Sequence, residues 1–298
     1  MADGEPRFVE GLDELAKAYD LFLLDQFGVL HDGRAPYPGV PAALAALRRR
    51  GKRLCVITNS GRTAAENEAR MARLGLDPAL LDSVVTSGDA ALQWLLAEAA
   101  AVPCFPVCTG GDVTPLVEAG VRLVERVEEA ELIFLGGMPG AVDEIDLDDF
   151  EPWIVEGLRR GLPMVCANPD RRGTYGDEVV PSPGAVAEIY RARGGAVREF
   201  GKPDPSIYSA ALGKFPEIAP ERTVMVGDMP ETDLAGAVAI GVAGAWVLGG
   251  VYAQEVGLGA ETRQVRARAI EILRRERATA DWLLPRFAWP ESALDTAT

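Results

Sequence analysis

The sequence predicts an α/β protein: a doubly wound, Rossmann-like parallel sheet that carries a second, inserted α/β domain. Short apolar runs alternate with helix-like segments along nearly the whole chain, which is typical of parallel strands joined by helices. The chain has 298 residues, of which 48% are hydrophobic, enough for one large α/β unit or two moderate domains. Polar fragments follow several of the apolar runs, at the sheet edge where open α/β sheets bind ligands.

The first part of the chain is predicted to alternate strands with helices. A four-residue apolar run is expected to form the first buried strand, and a glycine follows each helix-like pattern where a helix would end. The predicted elements are strands at Leu21–Leu24, Arg53–Thr58 and Val84–Thr86 and helices at Pro41–Arg50 and Thr63–Leu74.

The middle part repeats this alternation and is predicted to form the inserted domain. Its predicted strands are Phe105–Cys108, Leu132–Leu135 and Met164–Ala167, and its helical stretches lie near Pro115–Ala119, Leu147–Arg160 and Ala185–Arg193. Gly194 and Gly195 are expected to form the hinge at which the chain returns. The sequence therefore predicts an inserted domain at residues 88–197 and a core domain built from residues 1–87 and 198–298.

The last part of the chain resumes the first pattern. The predicted order is a helix at Pro205–Leu212, a strand at Thr223–Val226, a helix at Thr232–Ile240 and a strand at Ala245–Leu248. Charged residues of both signs alternate from Glu261 to Ala278, which indicates a solvated helix.

Composition excludes several classes of function. The formal net charge of −15 argues against a protein that binds the phosphate backbone of nucleic acids. No apolar run approaches the roughly 18 residues of a membrane span, and the opening MADGEPRFVE has no secretory pattern. The four cysteines show no strong metal-binding spacing and are expected to be buried thiols. We therefore expect a cytoplasmic protein without nucleic-acid or membrane partners.

Five polar fragments stand beside the predicted strands and helices. They are Asp25, Thr58-Asn59-Ser60, Asn168-Pro169-Asp170, Gly201-Lys202-Pro203 and the segment Gly227–Asp233. Each alone has a structural explanation, such as a turn, a loop or a helix N-cap. A carboxylate directly after a buried strand is nevertheless costly to desolvate, and five such fragments in this order are hard to attribute to chance. Together they predict one site.

On these fragments the chain resembles the haloacid dehalogenase superfamily of phosphohydrolases. It is most similar to subfamily IIA, in which an α/β cap is inserted between the second and third motifs, as in nitrophenyl-phosphatase-like and nucleotide-phosphatase-like members. The matching pieces are DQFGVLHDG followed by PYPGV, then ITNSGRT, TSGDA, CANPD, GKPDPSIY and VGDMPETDLAGA. They run from about Leu21 to Leu248. The resemblance implies a Mg²⁺-dependent phosphatase that acts on a small phosphorylated metabolite.

The resemblance also implies roles for individual residues. Asp25 would attack phosphorus and form an aspartyl-phosphate. Mg²⁺ would be held by Asp25, the backbone carbonyl of Phe27 and Asp228, with Asp233 orienting these ligands or binding through water. A dimer formed through the cap is expected only by analogy.

Further residues would bind the substrate. Thr58, Asn59 and Ser60 would hold the phosphoryl oxygens near a helix N-terminus. Lys202 would neutralise charge between nucleophile and phosphate. Asn168 and Asp170 would belong to the substrate-facing loop of the cap.

Phe27 departs from the pattern of this superfamily, whose phosphatases carry a second aspartate there that protonates the leaving group. General acid–base catalysis typically contributes about 10²–10⁴-fold, so its loss predicts weak activity and a preference for good leaving groups. Two alternatives stay open: a catalytically weak sensor of a phosphorylated ligand, and a hydrolytic dehalogenase, which also carries an aromatic residue at this position but needs no metal. His31, the only histidine, is chemically suited to replace the acid but is expected to be exposed polar surface in a loop.

Overall fold

The largest element of the fold is a seven-stranded parallel sheet. The computed structural model describes residues 5–139 and 146–290. In sheet order the strands are β1 (Arg7–Phe8), β13 (Trp282–Leu284), β12 (Ala243–Val247), β11 (Thr223–Gly227), β2 (Leu21–Leu24), β3 (Arg53–Thr58) and β4 (Ser83–Thr86). Every neighbouring pair is parallel. The carboxyl ends of β2, β3 and β11 therefore lie along one edge.

Helices cover both faces of this sheet, as a doubly wound fold requires. In β2, Phe22 and Leu24 pack into one apolar cluster, whereas Leu21 and Leu23 pack into another on the opposite face. The first cluster includes side chains of α1 (Leu12–Ala18), α2 (Val40–Arg49) and α3 (Ala64–Arg73), and the second those of α8 (Pro205–Leu212) and α9 (Ala235–Ile240). A third cluster packs α10 (Ala253–Val256) and α11 (Thr262–Arg275) against β12 and β13.

The middle of the chain forms a second, smaller parallel sheet. Its strand order is β10 (Val197–Glu199), β7 (Met164–Cys166), β6 (Leu132–Leu135) and β5 (Cys104–Val107). The helices of this part are α4 (Ser87–Glu98), α5 (Thr114–Glu118), α6 (Glu151–Arg160) and α7 (Pro183–Ala192). An antiparallel hairpin, β8 (Arg172–Tyr175) and β9 (Glu178–Pro181), is inserted between β7 and α7.

The apolar pattern located each predicted strand. It missed three helices, α1, α4 and α10, and five short strands, β1, β8, β9, β10 and β13. Only two residues form β1, and β10 consists of Val-Arg-Glu, so neither has an apolar run. The predicted helix at Thr232–Ile240 begins later, because Pro230–Leu234 forms a wider π-helical turn before α9. The predicted helix at Leu147–Arg160 likewise opens with a 3₁₀ turn at Leu147–Phe150.

The structure bears on two expectations drawn from the composition, one about the cysteines and one about membrane-spanning segments. Cys55, Cys104 and Cys166 are buried free thiols as predicted, and Cys108 is half-buried. Among the helices of residues 5–139 and 146–290, none combines the length and apolar character of a membrane crossing.

Candidate active site

Three buried carboxylates from separate parts of the chain meet at the carboxyl edge of the seven-stranded sheet. Asp25 directly follows β2, Asp228 directly follows β11, and Asp233 lies in the turn after β11. One carboxylate oxygen of each lies within 4.8 Å of the others. Because neighbouring parallel strands end at the same edge, the pairing of β2 with β11 brings the first two together.

Backbone and indole N–H groups hold the acidic loop after β11 in one conformation. The N–H of Val251 donates to Asp228 Oδ2 at 2.7 Å, and the N–H of Met229 donates to Asp233 Oδ2 at 3.0 Å. The indole Nε1 of Trp246 donates to the backbone carbonyl of Asp228 at 2.8 Å. The carboxylates are thus oriented by the fold itself.

Glycines make room for the Asp228 side chain. A Cβ at Gly28 would lie 2.1 Å from Asp228 Oδ2, and a Cβ at Gly250 would lie 2.0 Å from the same atom. Gly28 also has a φ of +80°, which residues with a side chain rarely adopt. Any larger residue at either position would therefore displace the carboxylate.

Lys202 lies between two of the three carboxylates. Its Nζ is 2.6 Å from Asp25 Oδ1 and 2.7 Å from Asp233 Oδ1, and its side chain is buried. The side chain of Asn59 fixes the lysine's backbone, since Oδ1 accepts from the Lys202 N–H at 2.6 Å and Nδ2 donates to the Lys202 carbonyl at 3.0 Å. Asn59 therefore positions Lys202, a role that the sequence did not indicate.

The electrostatics of this cluster favour a bound cation. Burial raises the pKa of Asp25 to about 7 and that of Asp228 well above its ordinary value. Burial disfavours the charged form of Lys202, but the charges of Asp233 and Asp25 outweigh it and raise the lysine's pKa. Three carboxylates around one ammonium leave an excess of negative charge in a buried place. The donor set consists of oxygens only, which fits a hard divalent cation such as Mg²⁺ or Ca²⁺.

The loop after β3 borders the same cavity. Thr58 and Ser60 line it together with Asp25, and the N–H of Ser60 donates to Thr58 Oγ1 at 3.2 Å. The loop leads into α3, whose N-cap Thr63 forms a capping box with Glu66. Hydroxyl and amide donors near a helix N-terminus suit an anionic group.

The loop after β7 closes the cavity from the side of the smaller sheet. Asn168 and Asp170 both line the cavity, and Asn168 Oδ1 accepts from the Asp170 N–H at 3.0 Å. Asn59 Nδ2 donates to Asp170 Oδ1 at 2.8 Å, which joins this loop to the loop after β3. Burial raises the pKa of Asp170 to about 6.

The structure corrects the expectation that His31 is exposed. Its side chain is buried, because Phe27 and His31 form a β-bridge that folds the loop back on itself and stacks the two rings edge to face, with centroids 4.5 Å apart. The N–H of Gly33 donates to His31 Nδ1 at 3.0 Å. Since Nδ1 accepts, the proton of the neutral ring is on Nε2 of His31. This nitrogen lies 3.0 Å from the amide nitrogen of Gln26. The amide oxygen Oε1 of Gln26 has no partner among the described residues. If the Gln26 amide is rotated by 180°, Oε1 takes the place of the nitrogen and accepts the hydrogen bond from His31 Nε2.

Burial and the charge of Arg70 lower the pKa of His31 to about 3. The ring is therefore neutral at physiological pH and has no proton to donate from Nδ1. The structure thus argues against His31 as the substitute acid.

The cavity residues that the sequence analysis did not assign to the site include three arginines and a tyrosine. These four are Arg62, Arg70, Arg172 and Tyr175. Arg62 and Arg172 lie two residues beyond Ser60 and Asp170, whereas Arg70 lies within α3 and Tyr175 at the end of β8. The first two are therefore close in the chain to predicted motifs, and the packing of α3 and the hairpin brings the other two to the cavity.

Comparison with known proteins agrees with this geometry. The family model for haloacid dehalogenase-like hydrolases matches residues 22–122, and a second, HAD-hydrolase-like model matches residues 199–268. The glycerol-3-phosphate phosphatase of Gallus gallus is 31% identical over 244 residues, 72% of this chain and 75% of that protein. The D-glycerol 3-phosphate phosphatase of Mycobacterium tuberculosis is 29% identical over 80% of this chain, which spans 66% of that relative's length.

Solved structures are similar over most of the fold. A haloacid dehalogenase-like hydrolase from Brucella suis superposes with a TM-score of 0.77 at 27% identity, covering 94% of this chain and all of the other. A glycerol phosphate phosphatase from Mycobacterium tuberculosis in complex with magnesium gives a TM-score of 0.61 at 27% identity, covering 85% of this chain and 74% of the other. The chain belongs to the haloacid dehalogenase-like hydrolases. Its curated relatives in that family are phosphatases.

Proposed function

We propose that the chain is a phosphatase of a small phosphorylated metabolite, with Asp25 as nucleophile and Mg²⁺ as cofactor. The observation that carries the proposal is the cluster of Asp25, Asp228 and Asp233 with Lys202 between two of its members. Relatives named as glycerol phosphate phosphatases support the class of substrate, and a related structure in complex with magnesium supports the choice of metal.

The nucleophilic step belongs to Asp25. Its carboxylate attacks phosphorus, a bond forms between the carboxylate oxygen and phosphorus, and the bond between phosphorus and the leaving oxygen breaks. Water then hydrolyses the aspartyl-phosphate and releases inorganic phosphate. Lys202 holds Asp25 Oδ1 at 2.6 Å and offsets the negative charge that accumulates on the transferred group.

Other residues hold the phosphoryl group and the cation. Thr58, Ser60 and the backbone amide of Asn59 would bind phosphoryl oxygens in front of α3. Mg²⁺ would be held by Asp25, Asp228 and the backbone carbonyl of Phe27, with Asp233 orienting these ligands or binding through water. When bound, it would neutralise charge between the carboxylates and the phosphate.

Among the described residues, the site has no evident residue to protonate the leaving group. The Phe27 side chain has no proton to give, and the pKa of His31, lowered to about 3, leaves that ring neutral and hydrogen-bonded. We therefore expect substrates whose leaving oxygen needs little protonation, such as aryl or acyl phosphates, to react faster than alkyl phosphates.

Two other functions are weaker candidates. A hydrolytic dehalogenase needs no cation, so a buried, oxygen-only cluster of three carboxylates has no purpose in it. A sensor of a phosphorylated ligand would use the same groups for binding without turnover. Halide release that persists in excess chelator would indicate the first, and Mg²⁺-dependent phosphate binding without turnover of any ester would indicate the second.

The proposal is tested with a panel of aryl, acyl and alkyl phosphates, with Mg²⁺ and with chelator. We expect Mg²⁺-dependent phosphate release, and Asp25→Asn should lower it by about 10³-fold or more because an amide cannot attack phosphorus. Asp77→Asn makes the same chemical change at an exposed residue, the N-cap of the 3₁₀ turn at Pro78–Leu80 in the core domain, and should keep the activity. No turnover of any ester at high enzyme concentration contradicts the proposal.

A further inference from the structure

Two arginines line the cavity without a carboxylate partner. Arg62 and Arg70 border it together with Asp25 and Phe27. In the described part of the chain, neither arginine has a carboxylate oxygen within 4.0 Å. Nε of Arg70 is buried and has no hydrogen-bond partner there. Among the described residues, the guanidinium of Arg70 makes a single hydrogen bond, from Nη2 to the Gly33 carbonyl at 2.9 Å.

The surroundings of Arg70 are positively charged. Burial, then the charges of Arg62 and Arg73, lower the pKa of its guanidinium. Hydrogen bonds from Thr114 lower the pKa of the Asp112 carboxyl, and the charge of Arg62 lowers it further by a smaller amount. Asp112 is exposed and makes no ion pair with Arg62 among the described residues. The chain has 45 acidic and 30 basic residues, so carboxylates to pair with these arginines are not scarce. Two partly buried guanidinium groups without a carboxylate partner cost the folded protein free energy, and a bound anion would remove that cost.

Arg172 shows how an arginine of the same cavity is neutralised. Its Nη2 lies 3.4 Å from Glu231 Oε1, and its guanidinium stacks 4.5 Å above the ring of Tyr252. Arg172 is therefore paired within the protein, whereas Arg62 and Arg70 are left available.

The arginine pair is separate from the cation that serves the phosphoryl group. Lys202 is hydrogen-bonded to Asp25 and Asp233. Arg70 instead lies over Phe27, with Cζ 5.1 Å from the centre of the ring. Phe27 is two residues beyond Asp25, and both arginines line the same cavity as these two residues. The remainder of a substrate whose phosphoryl group lies at Asp25 would therefore occupy a cavity that contains both arginines.

We propose that Arg62 and Arg70 bind a second anionic group of the substrate, a carboxylate or a second phosphoryl group. This inference rests on the proposed phosphatase function and narrows its substrate class to a phosphorylated acid or a bisphosphate. Arg70 lines the cavity and its Nε has no hydrogen-bond partner among the described residues. A planar guanidinium binds carboxylate and phosphoryl groups through two parallel hydrogen bonds. A neutral polyol phosphate would leave both arginines unpaired.

Binding of phosphonates, which are not hydrolysed, tests the inference without turnover. Calorimetry in excess MgCl₂ compares 3-phosphonopropionate with propylphosphonate, in which a methyl group replaces the carboxylate. We expect the carboxylate to improve affinity by about 10-fold or more, the usual effect of hydrogen bonds between charged groups. Ethane-1,2-diphosphonate replaces the carboxylate with a second phosphonate. Of the two probes that carry a second anionic group, the one that binds more tightly identifies the group that is bound.

Matched variants locate the effect. Arg70→Gln should reduce the preference for the carboxylate to less than about 3-fold, and Arg62→Gln should reduce it in part. Arg73→Gln, one turn further along α3 and exposed, should keep the full preference. Equal binding of both probes to the unaltered protein, or a preference that survives in both Arg70→Gln and Arg62→Gln, overturns the inference. Circular dichroism verifies folding, and if Arg70→Gln does not fold, the unaltered protein and Arg62→Gln decide the result.

The two proposals fail in different ways. If no phosphate ester is hydrolysed but the phosphonates are discriminated, the phosphatase function is wrong and the second anion site stands. If esters are hydrolysed but the carboxylate gives no advantage, the phosphatase stands and the arginine site is wrong.

Discussion

At the scale of single residues, the chemistry of this site depends on what surrounds Phe27. Its ring lies edge to face with His31, with centroids 4.5 Å apart, and the guanidinium of Arg70 lies 5.1 Å from its centre. Aromatic and cationic groups therefore lie beside Asp25, the proposed nucleophile. A carboxylic acid at this position would serve proton transfer. A phenyl ring instead provides an apolar wall for a substrate.

Restoring a carboxylate at this position tests whether only the acid is missing. Phe27→Asp should accelerate the hydrolysis of alkyl phosphates by about 10²–10⁴-fold, the usual contribution of general acid–base catalysis. Phe27→Leu, which also removes the ring but adds no acid, should give no acceleration. The measurement is kcat for matched alkyl and aryl phosphates. An unchanged alkyl rate in Phe27→Asp means that the defect lies elsewhere or that another acid already acts.

His31 is expected to make the stability of the protein depend on pH. The ordinary pKa of a histidine ring is 6.5, and burial in the folded state lowers the pKa of His31 to about 3. Between these values the unfolded chain binds the extra proton and the folded chain does not, so stability falls as the pH decreases from about 6.5 towards 3. The loss attributable to His31 is about 1.4 kcal/mol per pH unit within that window.

Urea unfolding at pH 7.5 and pH 5 measures this effect, with His31→Gln as the comparison. The difference in pH dependence between the two proteins isolates the histidine from the carboxyl groups. Because the chain has a single histidine, its NMR titration is unambiguous. An imidazole signal that titrates near pH 6.5 in the folded protein contradicts the prediction.

At the scale of secondary-structure elements, the loops after the strands place the carboxylates. Gly28 in the loop after β2 and Gly250 in the loop after β12 both lie directly beside the Asp228 carboxylate. The N–H of Val251, the residue after Gly250, donates to that carboxylate at 2.7 Å. Elements far apart in the chain thus hold one proposed metal ligand.

Adding a methyl group to this loop should therefore weaken cation binding. In Gly250→Ala, the new Cβ would lie 2.0 Å from Asp228 Oδ2, so the carboxylate or the loop must shift. We expect Mg²⁺ affinity to fall by about 10-fold or more, since displaced ligands or their supports usually cost this much. Calorimetry with MgCl₂ measures it. Gly213→Ala, at an exposed helix end with φ of −59°, should bind Mg²⁺ normally.

At the scale of the whole molecule, the β8–β9 hairpin joins the two sheets over the cavity. On one side Arg172 pairs with Glu231 and stacks on Tyr252. On the other side Arg34 stacks 4.3 Å above Tyr175, and the N–H of Gly176 donates to the Asp32 carbonyl at 3.0 Å. The hairpin is therefore attached to the larger sheet's loops at both edges.

Removing one attachment should loosen the hairpin. Arg172→Ala loses an ion pair and a cation–π contact, each worth about 0.5–1 kcal/mol at partly exposed sites, so amide exchange in the hairpin should accelerate several-fold. Arg171→Ala is the matched control, because Arg171 pairs with Glu188 of α7 beside the hairpin and not with the larger sheet. Hydrogen exchange read by mass spectrometry compares them. Equal protection in both variants would show that the Arg172 contacts do not hold the hairpin.

The sequence by itself determined the fold class, the order of the strands and helices that it predicted, and the polar residues that stand at strand ends. These follow from local patterns: apolar runs form buried strands, and parallel strands end at one edge, which is why Asp25 and Asp228 were predicted together. Only the tertiary structure decided which side chains meet. Asn59 and Lys202, whose contact the sequence did not indicate, are 143 positions apart, and Arg70 contacts Phe27 from another element. Such contacts, and the burial of His31, depend on how elements pack, which no short-range pattern of residues encodes.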